Sequence, residues 1–364
     1  MTALSIQAGP KALAHLRRHG LRARDIALIP AAAGGPKGLI FQALDQWLFS
    51  SWLPSAPRER TLIGASIGAW RMAAACHADP AAAFQRLGDL YCEQRYPHKP
   101  SPQFVSAACE KMLADLIGGH EAEIANHPHN RLHILAALGR RLLKAPQKNA
   151  AVMSGFGLAV LGNLMSRSQL SHHLARVVIG DPRDQSAWLK TRFDAFPTEF
   201  AQLSADNLAP ALLASGTLPM IMEPVRAIPS APSGTYWDGG LIDYHLALPY
   251  SRVVDAADGG LVLYPHFNDH IVPGWFDKQL PWRRAAKGKN RAWLDNVILV
   301  SPSRSFLQKL PRKKLPDRND FVEYGSDNAS RVRDWKAAMR EGERLRDALA
   351  SFVEKPDLGL VQPI

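Results

Sequence analysis

RTLIGASIGAWRMAAACH, residues 60–77, decides the fold, because an apolar run meets a small-residue helical pattern at a single serine. Arg60 to Ser66 reads as a short buried strand. Ile67 to His77 reads as a helix whose Ala69, Ala73, Ala74 and Ala75 offer the small surface needed for close packing on a sheet. Gly64-Ala65-Ser66-Ile67-Gly68 at the junction is a GxSxG pattern in the strand–turn–helix context that gives this pentapeptide meaning. Strand and helix approach closely there, so the residues two away from the serine must be small, and glycine removes the Cβ that would collide. Ser66 is therefore the candidate nucleophile, at a helix N-terminus whose free amides and dipole favour negative charge on an acyl oxygen. The plainer alternative is a glycine-lined packing turn.

Upstream, Asp25 to Pro30 reads as another buried strand, leading into Ala33-Gly34-Gly35-Pro36-Lys37-Gly38 and then a helical pattern over residues 39–53. Consecutive glycines let backbone N–H groups converge on one oxygen, which is what an oxyanion hole requires. Pro36 has no N–H, so Gly34 and Gly35 are the expected donors, with Lys37 adding positive charge beside them. A phosphate-binding loop would need GxxxxGK followed by Ser or Thr, and a dinucleotide site GxGxxG. The loop has neither, which disfavours nucleotide binding.

Downstream, helical patterns are expected over Pro80 to Glu93, Pro102 to Ile117 and Arg131 to Lys144, followed by the apolar segment Ala150 to Met165. Strand-like runs return at residues 175–181, 235–239, 259–265 and 296–302, with a helix over Ser204 to Gly216 among them. Strands that are apolar without alternation belong in a sheet covered on both faces. The expected fold class is α/β: a three-layer α/β/α sandwich with a mainly parallel central sheet, plus a helical insert. The expected organisation is one domain over residues 1–364, with a motif-bearing core at 25–250, the helical insert at 95–174 and a C-terminal extension at 266–364. Residues 327–354 read as one long charged helix with Val332, Trp335, Met339, Leu345 and Leu349 on its apolar face, packed on the outside of the core or used as an oligomer contact.

With 364 residues and 46% hydrophobic content the chain can bury a large core, and it carries neither low-complexity tracts nor solenoid repeats. Its N-terminus lacks a charged start followed by an apolar stretch, so no secretory signal is expected. Cys76, Cys92 and Cys109 are too few and too irregular for a disulfide framework, which makes cytoplasmic the expected location. Residues 150–165 fall short of the roughly 20 needed to cross a bilayer. They read first as a buried helix or the lining of an apolar cavity, and second as a membrane-contacting flap. A formal charge of +11 favours anionic surfaces, phospholipid headgroups or nucleic acid.

Tyr236-Trp237-Asp238-Gly239-Gly240 supplies a carboxylate at the end of a short apolar strand, followed at once by two glycines. A GGxKG loop, a GxSxG elbow and a late DGG, in that order, resemble the patatin-like phospholipase family. Residues 208–225 are similar to the segment that precedes the DGG in that family. The resemblance covers residues 25–249, with the long middle insert unmatched. It implies a Ser-Asp dyad, with Ser66 as nucleophile and Asp238 as the base that takes its proton. Gly34 and Gly35, with Lys37 adjoining, would form the oxyanion hole, and Gly64 and Gly68 would shape the elbow. It implies fatty-acyl esters of lipids as substrates and no metal or cofactor, and the basic charge adds peripheral contact with an anionic membrane surface as an expected partner. The chemistry agrees, since a hydroxyl is a poor nucleophile until a base within hydrogen-bond reach removes its proton.

The sequence departs from the family twice. Ala33 stands at the first glycine of a triplet, and LIDYHLALP follows the DGG in place of an Asn-x-Pro pattern, which raises Asp243 and His245 as site contacts or as residues serving the turn's own hydrogen bonds. His245, His266 and His270 keep open an α/β-hydrolase with the chain order Ser, Asp, His, and a lipid-binding module without turnover is the non-enzymatic alternative. His120, His127, His129 and His133 lack the i, i+4 pair with carboxylate of a hydrolytic zinc site and are expected on a solvated loop. Residues 274–293 interleave Trp275, Phe276, Trp282 and Trp293 with basic residues. A solvated loop with partly buried tryptophans is the first reading, a membrane contact the second and single-stranded nucleic acid the last.

Overall fold

Apolar runs with no polar alternation leave a strand no wet face, so they assemble into a sheet covered on both sides. The computed structural model describes residues 2–97, 99–184, 186, 191–253 and 260–364. Its strands are β1 (Leu4–Ala8), β2 (Ile26–Ala31), β3 (Arg60–Ala65), β4 (Asn130–Gly139), β5 (Leu174–Gly180), β6 (Thr198–Gln202), β7 (Tyr236–Asp238), β8 (Leu261–Pro265), β9 (Val297–Pro302) and β10 (Val361–Pro363). They lie in the order β10-β1-β9-β8-β2-β3-β4-β5-β6, with β7 pairing with β4. The centre, β9-β8-β2-β3-β4, is parallel throughout, whereas β1 runs antiparallel to β9, and both β5 and β7 antiparallel to β4. The strand expected from Gly259 starts at Leu261, and Gly259 lies outside the described residues.

The main helices are α1 (Pro10–His19), α2 (Gln42–Trp47), α3 (Ile67–Ala74), α4 (Pro80–Cys92), α5 (Pro102–Ile117), α6 (Glu121–Ala125), α7 (Asn149–Met165), α8 (Ala205–Gly216), α9 (Asn328–Glu341) and α10 (Glu343–Glu354). α3 and α8 pack over β3, β4 and β7 on one face. On the other, Trp237 of β7 sits in a separate apolar cluster with Phe156 of α7, Leu143 and Leu174. The architecture is therefore an α/β sandwich with a mainly parallel sheet between helical layers. No helix among the described residues is long and apolar enough to cross a membrane.

Three expectations are corrected. Residues 131–144 are not helical: most of them form β4, a ten-residue strand in the middle of the sheet. Its Leu- and Ala-rich run favours a helix by propensity, and burial on both faces removes the alternation that would have marked a strand. The insert at 95–174 thus contributes to the core sheet as well as α5, α6 and α7. The tail is two helices, not one, joined at Gly342, which crosses the backbone of Ile40 so tightly that a Cβ there would collide with the Ile40 carbonyl. Trp335, Met339, Leu345 and Leu349 of that tail are buried. Strands β1, β6 and β10, at or next to the two ends of the sheet, were not expected from the sequence.

Candidate active site

One strand brings the two key side chains together. β3 ends where Ala65 pairs with Leu135 of β4, and β7 occupies the next position on the same edge, Asp238 pairing with Ala136. Ser66, one residue beyond β3, therefore meets the last residue of β7. The strand read as helix is the ruler that sets their spacing.

Ser66 has φ 55° and ψ −131°, a left-handed conformation that strains a non-glycine residue by about 1–3 kcal/mol and turns its side chain out of the sheet. The approach of α3 explains the flanking glycines. A Cβ at Gly64 would lie 2.5 Å from the Ala69 amide nitrogen, and one at Gly68 would collide with the Ala31 carbonyl. α8 locks the turn: the Ser66 amide donates to Ser215 Oγ (2.8 Å), the Ser215 hydroxyl donates to the Leu135 carbonyl (2.6 Å), and Trp70 Nε1 donates to the Leu212 carbonyl (3.0 Å). From beneath, Arg71 of α3 grips Asp45 of α2 with two hydrogen bonds, 2.9 and 2.8 Å, fully buried.

The Ser66 hydroxyl donates to Asp238 Oδ2 at 2.8 Å, and Asp238 Oδ1 accepts from the Gly240 amide at 2.7 Å. Both side chains lie at the floor of a cavity of about 580 Å³, Ser66 3% and Asp238 5% exposed. Burial pushes the Asp238 carboxyl above the ordinary range. The positive charge of Arg318 opposes this, followed by the hydrogen bonds from Ser66 and Gly240 and by Lys278.

Gly34 and Gly35 line the same cavity, and the described hydrogen bonds leave both amides without an acceptor. Gly35 has φ 58°, and a Cβ at Gly34 would lie 2.5 Å from the Phe267 ring, so glycine is required at both. Ala33 sits against Gly240, and its amide donates to the Tyr244 carbonyl at 2.9 Å, so this departure from the glycine triplet belongs to the packing of loop on turn. Lys37 also lines the cavity, its ammonium pushed down by burial.

The remaining candidates fall elsewhere. Asp243 is buried and clamps Arg176 with bonds of 2.6 and 2.9 Å. His245 is fully buried, accepts from the Val272 amide at 3.1 Å and is held well below its usual range by burial and by neighbouring His266. Burial likewise pushes His266 down to about 3, and its Nδ1 serves the Asn268 amide at 2.9 Å, while His270 pairs with Asp269. No hydrogen bond joins any of these three imidazoles to Ser66 or Asp238 among the described residues. His133, expected on a solvated loop, is instead a core residue of β4 bonded to Asp184 at 2.8 Å, because the strand was misread. Among the described residues, His77, His120 and Glu123 have ligand atoms close enough to hold a metal, all within 4.8 Å of one another, but they lie at the opposite end of α3 from Ser66.

α7 has two roles in the structure. Phe156, Gly157 and Val160 line the cavity, while Met153, Leu158, Leu161, Leu164 and Met165 are exposed. Trp275 (47% exposed) and Phe276 continue the cavity rim, Trp282 is 66% exposed, and Trp293 packs edge-on against Phe193. Sequence reading passed over Asp45, Ser215, Lys278 and Arg318. Asp45 and Ser215 lie in segments read as helices and Lys278 in the aromatic–basic stretch 274–293, but no local pattern marks these side chains themselves, because each acts across the fold.

Fold and site together define an α/β protein with a strained strand–turn–helix serine that hydrogen-bonds a carboxylate beside a glycine loop. The family model for patatin-like phospholipase matches residues 56–249, just over half of the chain and both the elbow and the DGG turn. The chain belongs to the patatin-like phospholipase family, a family of lipid acyl hydrolases. Among solved structures, the crystal structure of VipD from Legionella pneumophila is similar at 12% identity and a TM-score of 0.30, over 74% of this chain and 54% of that one, so the match spans about half of that chain's length. No curated protein matches the chain.

Proposed function

We propose that this chain hydrolyses fatty-acyl esters of lipids through an acyl-enzyme on Ser66, with Asp238 as general base. The observation that carries the reading is the 2.8 Å bond between Ser66 Oγ and Asp238 Oδ2 on a buried floor. Asp238 takes the hydroxyl proton as Oγ attacks the ester carbonyl, and the amides of Gly34 and Gly35 receive the charge on the carbonyl oxygen. Collapse of the tetrahedral species expels the alcohol, which leaves with the proton from Asp238. Water then gives a proton to the same carboxylate and attacks the acyl carbon; collapse frees the fatty acid and returns the proton to Ser66. Burial makes Asp238 a stronger base than a free carboxylate, and the positive charge of Arg318 opposes that rise in favour of the ionised form.

A lipid substrate is supported by the cavity's apolar wall, formed by α7 together with Leu218 to Ile221. Met220 and Ile221 line the cavity and are exposed, α7 lines it with one side and exposes apolar residues on another, and the net charge of +11 adds attraction to anionic headgroups, so the docking surface in this reading is an anionic lipid interface. The test is fluorophosphonate labelling together with hydrolysis of short-chain esters and phospholipid vesicles. The wild type is labelled at Ser66 and turns over, and Ser66→Ala does neither. Equal hydrolysis by the two proteins would remove the assignment, and a wild type that binds vesicles without labelling or turnover would be a lipid-binding module.

A further inference from the structure

The cavity lining is chemically mixed. Besides the apolar residues of α7 it carries Lys37, Lys278 and Arg318 near the oxyanion loop, and the acids among its described lining residues are Asp238 and Asp317. Asp317 is already engaged, accepting from the Asn319 amide at 2.8 Å and facing Lys314 at 3.5 Å. No salt bridge engages Lys37, Lys278 or Arg318 among the described residues. Aromatic faces hold the two lysines instead. Lys278 Nζ lies 4.4 Å from the centre of the Tyr244 ring and 5.2 Å from that of Trp275, and Lys37 Nζ lies 5.4 Å from that of Phe267. A ring face positions a cation without cancelling its charge; burial pushes the Lys278 pKa down to about 8 and that of Lys37 down as well, against the charge of Asp317, so an anion brought beside them restores what burial takes from the charged forms. Arg318 crosses the oxyanion loop, its Nε 3.1 Å from the place a Cβ on Gly35 would occupy, and its charge is the strongest electrostatic support of Asp238. The cationic edge therefore adjoins the position a scissile carbonyl takes when its oxygen faces Gly34 and Gly35.

We propose that Lys278 and Arg318, with Lys37, form an anion subsite that selects acyl esters bearing a net-negative phosphoryl headgroup beside the scissile bond. This rests on the reading of Ser66 and Asp238 above and names what that site prefers. A headgroup with its own cation, such as phosphocholine, brings a positive charge against three others and is disfavoured; a phosphoglycerol headgroup brings only the anion. Lys278 and Arg318 lie beyond residue 249, where the match to the family model ends, whereas Lys37 belongs to the glycine loop.

The test compares kcat/KM for dihexanoyl phosphatidylglycerol, dihexanoyl phosphatidylcholine and dihexanoylglycerol, each monomeric in solution, with inorganic phosphate as competitor. The wild type prefers the phosphatidylglycerol by about tenfold or more, the discrimination of one charge-assisted contact. Lys278→Glu and Arg318→Glu collapse or reverse that ratio mainly through KM, and Lys278→Arg retains it. Arg17→Gln with Arg18→Gln, removing two exposed charges on α1, leaves the ratio where it was. A ratio near one in the wild type, or one that charge reversal does not move, overturns the subsite. Competition by inorganic phosphate without headgroup preference reassigns the edge to a free anion and overturns the headgroup selection. If Arg318→Glu lowers turnover of all three esters equally and moves only the pH profile, the cations serve Asp238 alone. These failures are separate from that of the hydrolase reading, because a protein labelled at Ser66 and active on dihexanoylglycerol keeps the latter whatever the headgroup result.

Discussion

The floor of the cavity and its rim are built by different rules. On the floor, Ser66 and Asp238 sit at the ends of strands, where close backbone approach requires the nearby Gly64, Gly68 and Gly239, and Gly34 and Gly35 follow β2; much of the geometry is fixed by main chain, and the residue pattern announces it. On the rim, α7, Lys278 and Arg318 come from the insert and the C-terminal part, and nothing in their local sequence requires them to be where they are. Chemistry is inherited through backbone constraint, whereas selectivity is assembled from side chains that many loops could supply.

The sharpest way to break this contrast is at the floor. Ser66→Ala or Asp238→Asn is expected to lower kcat/KM by about 10⁴-fold on every ester, since removing one member of a nucleophile–base pair loses nearly all its joint effect; steady-state assays on a neutral ester check it. Next comes the support beneath the elbow. Asp45→Ala leaves the buried Arg71 guanidinium without its partner and should cost about 3–5 kcal/mol, read as a lower urea midpoint. Isosteric apolar replacement of both residues should recover much of the loss.

Effects at the rim are expected to be smaller and graded. In the proposed mechanism Asp238 works ionised, and burial raises its pKa, so kcat/KM should fall with decreasing pH along a limb above the 3.8 of an ordinary Asp. Arg318→Gln withdraws the cation that most favours the ionised form and should move that limb to higher pH; an unmoved limb would mean the guanidinium does not feel the carboxylate. Leu161→Asp on the exposed face of α7 should weaken binding to anionic vesicles by about tenfold, by co-sedimentation, with a lesser effect on monomeric ester.

What could be read beforehand follows the same division. The strands that end in glycine turns, the elbow and the DGG were legible because sharp turns leave few choices of residue. β4 was not: leucine and alanine in a doubly buried strand look like a helix, and only pairing with β3, β5 and β7 reveals it. The break at Gly342 lies against Ile40, three hundred residues away in the chain, and the Arg71–Asp45 pair depended on the folding of α2 under α3. Charges such as Arg318 acquire meaning only from neighbours that the fold delivers.

The tryptophan next to the carboxylate has a consequence for orientation. In a strand, successive side chains face opposite ways, so sliding β7 one step along β4 would aim Trp237 at Ser66 and bury the acid group in hydrocarbon. The indole, 1% exposed and edge-on to Phe156 at 5.3 Å, makes that slip prohibitive. A bulky apolar neighbour thus acts as a key that lets the acid enter its lock in one direction only.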